Sequence, residues 1–161
     1  MSEDMSEEFY NAATFGDMDA VREMLAADPG LVNSRVEWGF AALHGVAGEE
    51  QFEMAEFLLD AGADPNVRNE DGMTPLHLAA YSEMVEILVS RGADINARSE
   101  KGETPLMVSA SEAEGFESME TLLRLGADAG ATDLQGRSAL DIARSREEED
   151  KIELLKEYGV G

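Results

Sequence analysis

The sequence has no cysteine among its 161 residues. Disulfide bridges, thiolate metal ligands and cysteine nucleophiles are therefore excluded. Histidine occurs only as His44 and His77, so no histidine-rich metal site with three or four converging ligands can form. No apolar run approaches the roughly 20 residues that a membrane-spanning helix needs. Met1-Ser2-Glu3-Asp4-Met5 lacks the basic and apolar regions of a secretion leader, and a cytoplasmic location is expected. Basic residues are scarce: 12 Lys and Arg stand against 35 Asp and Glu, a formal net charge of −23. The excess of acid runs through every stretch of the chain rather than forming a tail. Such a field repels nucleic-acid phosphates and anionic lipid, so neither is an expected partner. It fits either a cationic protein partner or a coat that maintains solubility.

What the chain does have is a phrase that returns. Asp71-Gly72-Met73-Thr74-Pro75-Leu76-His77-Leu78-Ala79-Ala80 reappears as Lys101-Gly102-Glu103-Thr104-Pro105-Leu106-Met107-Val108-Ser109-Ala110. Ala61-Gly62-Ala63-Asp64, Gly92-Ala93-Asp94 and Gly126-Ala127-Asp128 mark a second recurrence. The glycines Gly39, Gly72, Gly102 and Gly136 are separated by 33, 30 and 34 residues. A period of this size marks stacked units, none of which can bury its apolar face alone.

The physics of one unit is legible between residues 69 and 98. Thr74 is placed to cap a helix, and Pro75 suits its first turn, where a missing N–H costs nothing. Leu76, Leu78, Ala79 and Ala80 are expected to continue that helix. Met84, Val85, Ile87, Leu88 and Val89 have helical spacing, with Glu83 and Glu86 outward. Gly92 follows where a helix C-terminus wants a residue free to take positive φ. Each unit thus reads as helix, turn, helix and protruding loop.

The chain resembles the ankyrin-repeat family over nearly its full length. Gly-x-Thr-Pro-Leu-His-Leu-Ala-Ala at 72–80 carries the resemblance, with Gly-x-Thr-Pro-Leu at 102–106, Gly-x-Ala-Ala-Leu-His at 39–44 and Gly-x-Ser-Ala-Leu-Asp-Ile-Ala at 136–143. The implied fold is an all-α solenoid of about five stacked helix–turn–helix repeats, forming a single domain over 1–161. The approximate units are 6–35, 36–68, 69–98, 99–132 and 133–161. The first and last read as caps, with Asn11 and Lys151 at places inner units fill with other residues. Polar outer faces are what terminal caps require.

The third unit is short. Only Tyr81 and Ser82 separate Ala80 from Glu83, where the second unit has five residues (48–52) and the fourth has six (111–116). Ser82 falls where Met18, Phe52 and Phe116 stand in other units, so an apolar plug is missing. The deletion either shortens the helix hairpin with neighbours closing over it, or leaves a notch beside Tyr81. A single fused helix over 76–89 is a third outcome, which would break the stack.

Little in the sequence suggests chemistry. His44 and His77 stack in adjacent units, but their column continues as Met107 and Asp141, without a third ligand of matching type. The resemblance implies that this histidine hydrogen-bonds within the helix-start and loop region. Carboxylates are abundant, yet none is singled out as a paired acid and base. Asp64-Pro65-Asn66 and Asn69-Glu70-Asp71-Gly72 lack calcium-loop spacing. There is no phosphate-binding glycine loop, nucleophile elbow or basic stripe. The chain is expected to be non-catalytic, free of cofactors and metals, and monomeric when free.

The resemblance also implies that partners meet the loop tips and the inward-facing helices. Phe15, Trp38, Phe40, Met73 and Tyr81 fall at such positions in the first three units, with Glu70 and Asp71 at the rim. Trp and Tyr are favoured at interface hot spots. The alternative for Trp38 and Phe40 is to fold against the first unit and protect it. The expected function is binding a basic protein partner through the concave face and loop tips, as an inhibitor or immunity-type protein. The alternative is peptide or small-molecule binding at the notch of the shortened third repeat.

Overall fold

A computed structural model of the chain describes residues 3–161, with side chains from Met5 onward. Met1 and Ser2, the start of the stretch read as lacking a leader, lie outside the described residues. Ten α-helices occur among the described residues and follow one another in pairs. They are α1 (Glu3–Thr14) and α2 (Met18–Ala27), α3 (Ala42–Ala47) and α4 (Phe52–Asp60), α5 (Pro75–Leu78) and α6 (Ser82–Ser90), α7 (Pro105–Ser111) and α8 (Phe116–Arg124), and α9 (Ala139–Ser145) and α10 (Glu149–Glu157). Contacts run along an inner row, α1 to α3 to α5 to α7 to α9, and an outer row, α4 to α6 to α8 to α10. Arg22 of α2 lies over the Phe57 ring of α4, 5.4 Å from its centroid, and links the first pair to the outer row.

Local chemistry starts and stops these helices. Thr74, Thr104 and Ser138 are extended residues that precede α5, α7 and α9. The N–H of Met107 donates to Thr104 Oγ1 at 3.3 Å, and that of Asp141 to Ser138 Oγ at 3.2 Å. Such caps satisfy donors that the first helical turn leaves free. At the other end of α6, Gly92 takes φ +93°, and Ala93 N donates back to Leu88 O at 3.0 Å. That left-handed closure favours glycine.

Packing follows the repeat. Leu43, Leu76, Leu106 and Leu140 form one buried column, and Leu58, Leu88, Leu122 and Leu155 a second. No unit encloses these side chains by itself, so the stack is held together by burial between neighbours. Hydrogen bonds register the units. Asn33 Nδ2 donates to Gly62 O at 2.9 Å and Asn66 Nδ2 to Gly92 O at 2.9 Å. The same side chains accept from Asp64 N and Asp94 N. Arg35 donates to Arg68 O at 2.9 Å, and Arg68 to Arg98 O at 2.7 Å.

Two expectations meet a different structure, and one of the alternatives for the third unit is excluded. Lys151, read as part of a polar outer face, is 2% exposed. Its position on α10 matches Met54, Met84 and Ser118, which point inward, and its ammonium reaches the Glu112 carbonyl and the Glu148 carboxylate. The polar face of that cap is instead Glu149, Asp150, Glu153, Lys156 and Glu157, all exposed. Ala79 and Ala80 do not continue α5. Ala79 turns extended (φ −67°, ψ 109°) and the Ala80 N–H donates across to Ala47 O at 3.4 Å. The fused helix over 76–89 does not form, because the break at 79–81 separates α5 from α6. α4, α6, α8 and α10 are nine residues each, whereas α5 has only four. The deletion is therefore absorbed by the inner helix and its turn.

Candidate protein-binding surface

Loops preceding the inner helices form a row of fingers. Each is a tight hairpin closed by a backbone bond: Val36 N to Phe40 O, Asn69 N to Met73 O, Ser99 N to Glu103 O and Asp133 N to Arg137 O, all 2.8–3.0 Å. Neighbouring tips are stitched by Glu70 N to Trp38 O (3.0 Å), Glu100 N to Asp71 O (2.8 Å) and Leu134 N to Lys101 O (3.0 Å). The tip side chains are thus held on a braced edge rather than on free loops.

The first tip differs from the rest. Trp38 takes φ +61°, ψ 16°, a left-handed conformation that costs a bulky L-residue about 1–2 kcal/mol. Gly39 follows at φ +74°, with the Glu70 backbone 3.1 Å from where a Cβ would stand. The corresponding residues Asp71, Lys101 and Gln135 do not share the positive φ. The indole of Trp38 is 64% exposed. It does not fold away against the first unit. With Phe40 it borders a groove of about 570 Å³, whose other walls include Glu7, Tyr10, Asn11, Arg35 and Glu37.

The other expected residues are spread out. Phe15 is 80% exposed but lies past the end of α1, one helical turn beyond Asn11, and does not line that groove. Phe40 is half-buried and stands edge-on to the His44 ring, 5.4 Å between centroids. Met73 is half-buried, and its carbonyl meets His44 Nε2 at 2.9 Å. Glu70 and Asp71 are exposed on the second tip. Tyr81 is half-buried and packs edge-on against Phe52, 6.0 Å between centroids. It fills the space beside the shortened helix on the side of the second unit.

Tyr10, Asn11 and Glu7 were not among the expected contact residues. Their spacing, i, i+3 and i+4 on α1, puts them on one helical face.

The histidines tie the fingers to the helices. The Ala41 N–H donates to His44 Nδ1 at 3.1 Å and the Thr74 N–H to His77 Nδ1 at 3.0 Å. With Nδ1 accepting, each ring carries its proton on Nε2, which donates to the next finger at Met73 O and Glu103 O. Burial lowers both pKa values, with the facing carbonyls opposing the shift. Among the described residues no group of three histidine or carboxylate side chains is placed to hold a metal ion. No helix among them is long and apolar enough to cross a membrane.

Family models for ankyrin repeats match residues 9–99 (three copies) and 88–143 (many copies). An E3 ubiquitin-protein ligase of Oryza sativa subsp. japonica is 39% identical over 74 residues, 45% of this chain and 16% of the ligase. The Caenorhabditis elegans homolog of a transient receptor potential cation channel, subfamily A member 1, is 32% identical over 151 residues, 93% of this chain and 12% of the channel. An NAD-capped RNA hydrolase of Homo sapiens is 28% identical over 81 residues, 50% of this chain and 18% of the hydrolase. The chain spans less than a fifth of the length of each of these three relatives. Repeated helix pairs, glycine-turned fingers and the matches at residues 9–143 agree: the chain belongs to the ankyrin-repeat family, whose repeats mediate protein–protein interaction.

Proposed function

We propose that this chain is a non-catalytic binding module for a basic protein, which it engages through the finger tips and concave face around Trp38. The observation that carries this reading is the pairing of strain and exposure at one residue. A left-handed backbone costs stability, and an exposed indole returns little of it through burial. Such strain tends to persist where function needs a side chain in one place. The tip presents Trp38 beside Phe40, with Glu37, Glu70 and Asp71 as acidic neighbours. An apolar centre with a negative rim suits a surface that is basic around an apolar patch. The net charge of −23 gives that encounter long-range attraction. In this reading the chain masks its partner as an inhibitor or immunity-type protein, acts in the cytoplasm and is monomeric when free.

Capture at low salt followed by cross-linking tests this reading. Wild type, Trp38→Asn and the double reversal Glu70→Lys/Asp71→Lys are compared. The expected result is one basic protein, recovered by wild type and depleted with both variants. Equal recovery by all three would overturn the assignment of Trp38 and its rim.

A further inference from the structure

We infer that the cleft opened by the shortened α5 receives an arginine side chain from the basic partner, an inference that rests on the cationic-partner reading above. The cleft is lined from the third and fourth units, with Gly48 from the second, and measures about 480 Å³, within the about 300–1,000 Å³ range of ligand sites. Its apolar lining includes Leu78, Ala79, Ala80 and Val108, and acids line it at Glu112 and Glu114. No lysine or arginine lines it. The one basic-type side chain there, His77, is committed to Thr74 N–H and Glu103 O. The cleft therefore combines an apolar channel with a uniformly anionic rim.

The deletion creates this space. α7 continues to Ser111, whereas α5 stops at Leu78, so one side of the cleft lacks the last helical turn of its neighbour. Tyr81, the nearest large side chain, is turned toward Phe52 and does not line the cleft. The cleft thus lies beside Ala80 and away from the Tyr81 ring.

The facing wall is held firmly. Gly115 packs against the Ser109 carbonyl so closely that a Cβ there would stand 2.0 Å from it. Ser118 Oγ lies 3.1 Å from both Ser109 Oγ and Gly115 O. The buried Lys151 ammonium holds the Glu112 carbonyl from behind. The Glu112–Gly115 turn is thereby fixed at both ends, and ordering it on binding adds little entropic cost.

Arginine fits this combination better than lysine. Its methylene stem can lie along the apolar channel while the head remains at the polar rim. Its planar fork presents several N–H donors to carboxylates at once and is less strongly hydrated than an ammonium.

The probe is an acetylated, amidated Ala-Arg-Ala tripeptide titrated into ¹⁵N-labelled full chain. The control is the same peptide with citrulline, the neutral isostere of arginine. Saturable shifts are expected at the Ala80, Ser109 and Gly115 amides, with citrulline binding weaker by at least about tenfold. Ala80→Phe, which fills the cleft from an exposed position, should abolish the shifts. Glu112→Gln/Glu114→Gln should weaken them without altering shape, and Trp38→Asn should leave them intact. Equal binding of the citrulline peptide, or shifts spread evenly over the acidic surface, overturns the proposal. Absent peptide shifts with partner capture through Trp38 intact overturn the cleft alone. A captured partner that is acidic overturns the cationic-partner reading whatever the peptide does.

Discussion

Replacing Trp38 by asparagine separates a binding anchor from a structural side chain. A tryptophan covers about 150–250 Å² when fully buried. Trp38 is 64% exposed, so roughly a third of that area, about 50–90 Å², is covered in the free chain. At about 25 cal/mol per Å² the lost burial costs about 1–2 kcal/mol. Asparagine tolerates the left-handed conformation, and relief of strain returns about 1–2 kcal/mol. The two effects nearly cancel. Trp38→Asn is expected to alter stability by no more than about 1 kcal/mol, a shift in Tm of at most about 4 °C for a chain of this length. Truncating a hot-spot tryptophan typically costs about 2 kcal/mol or more of binding, equivalent to about a 30-fold rise in Kd. Thermal and urea melts followed by circular dichroism give the first number. Surface kinetics with the captured partner give the second. A stability loss above about 2 kcal/mol with unchanged affinity would refute the reasoning and make the indole a brace for the finger.

Gly115→Ala should destabilise the chain by about 1–3 kcal/mol, because the new methyl meets the Ser109 carbonyl backbone; an unchanged urea midpoint would contradict that packing. Lys151→Met should lower Tm at neutral pH, because removing one partner of a buried pair leaves the Glu112 carbonyl and the Glu148 carboxylate without their ammonium; a held or raised Tm would show that apolar packing like that of Met54 and Met84 outweighs the pairing. Acid should weaken wild type in two steps. His44 and His77 have lowered pKa values, so their contribution is complete above the ordinary histidine range and is lost as pH falls from about 6.5 toward the lowered values. Glu148 is held low by hydrogen bonds from Lys151 and then Arg146, so its contribution disappears only as pH falls below the ordinary carboxylate range. Denaturation curves from neutral to acid pH check both steps, and a Lys151→Met variant should shrink the second; a second step of unchanged size would exclude the Glu148 pairing as its source.

Much of the stack can be read from short-range pattern. Gly72, Thr74, Pro75 and Leu76 act within a few residues of one another: the glycine turns the finger, the threonine ends it and the proline starts the helix. Their return near residue 102 carries the architecture with it. Residues whose role depends on the next unit are harder to recognise. Asn33, Asn66 and Asn96 recur at the repeat period, as do Arg35, Arg68 and Arg98, but only the stacked register shows them bridging units. Lys151 reads as a surface residue by type, and only its alignment with Met54 and Met84 marks an inward position. The consequence of the deletion depended on which neighbour would move. Tyr81 packs toward Phe52, and the space left by the missing turn opens between Gly48, Ala80 and the Glu112–Gly115 turn. The exposure of Trp38 followed from its place beside Gly39, whereas its left-handed backbone has no counterpart at Asp71 or Lys101, which are stitched to their neighbours in the same way.

The central claim is that acidity brings a basic partner to an apolar anchor, and association kinetics test it most directly. Wild type and Glu70→Lys/Asp71→Lys are mixed with the captured partner by stopped flow from low to high salt. Screening lengths shrink from about 10 Å at 0.1 M to about 3 Å at 1 M. Steering of roughly 10- to 1000-fold should fade over that range, while the dissociation rate set by Trp38 changes much less. The double reversal should associate more slowly than wild type at low salt and converge with it at high salt. An association rate flat with salt in both proteins would contradict the claim, leaving the charge of −23 as a solubility coat and recognition to the aromatic tip alone.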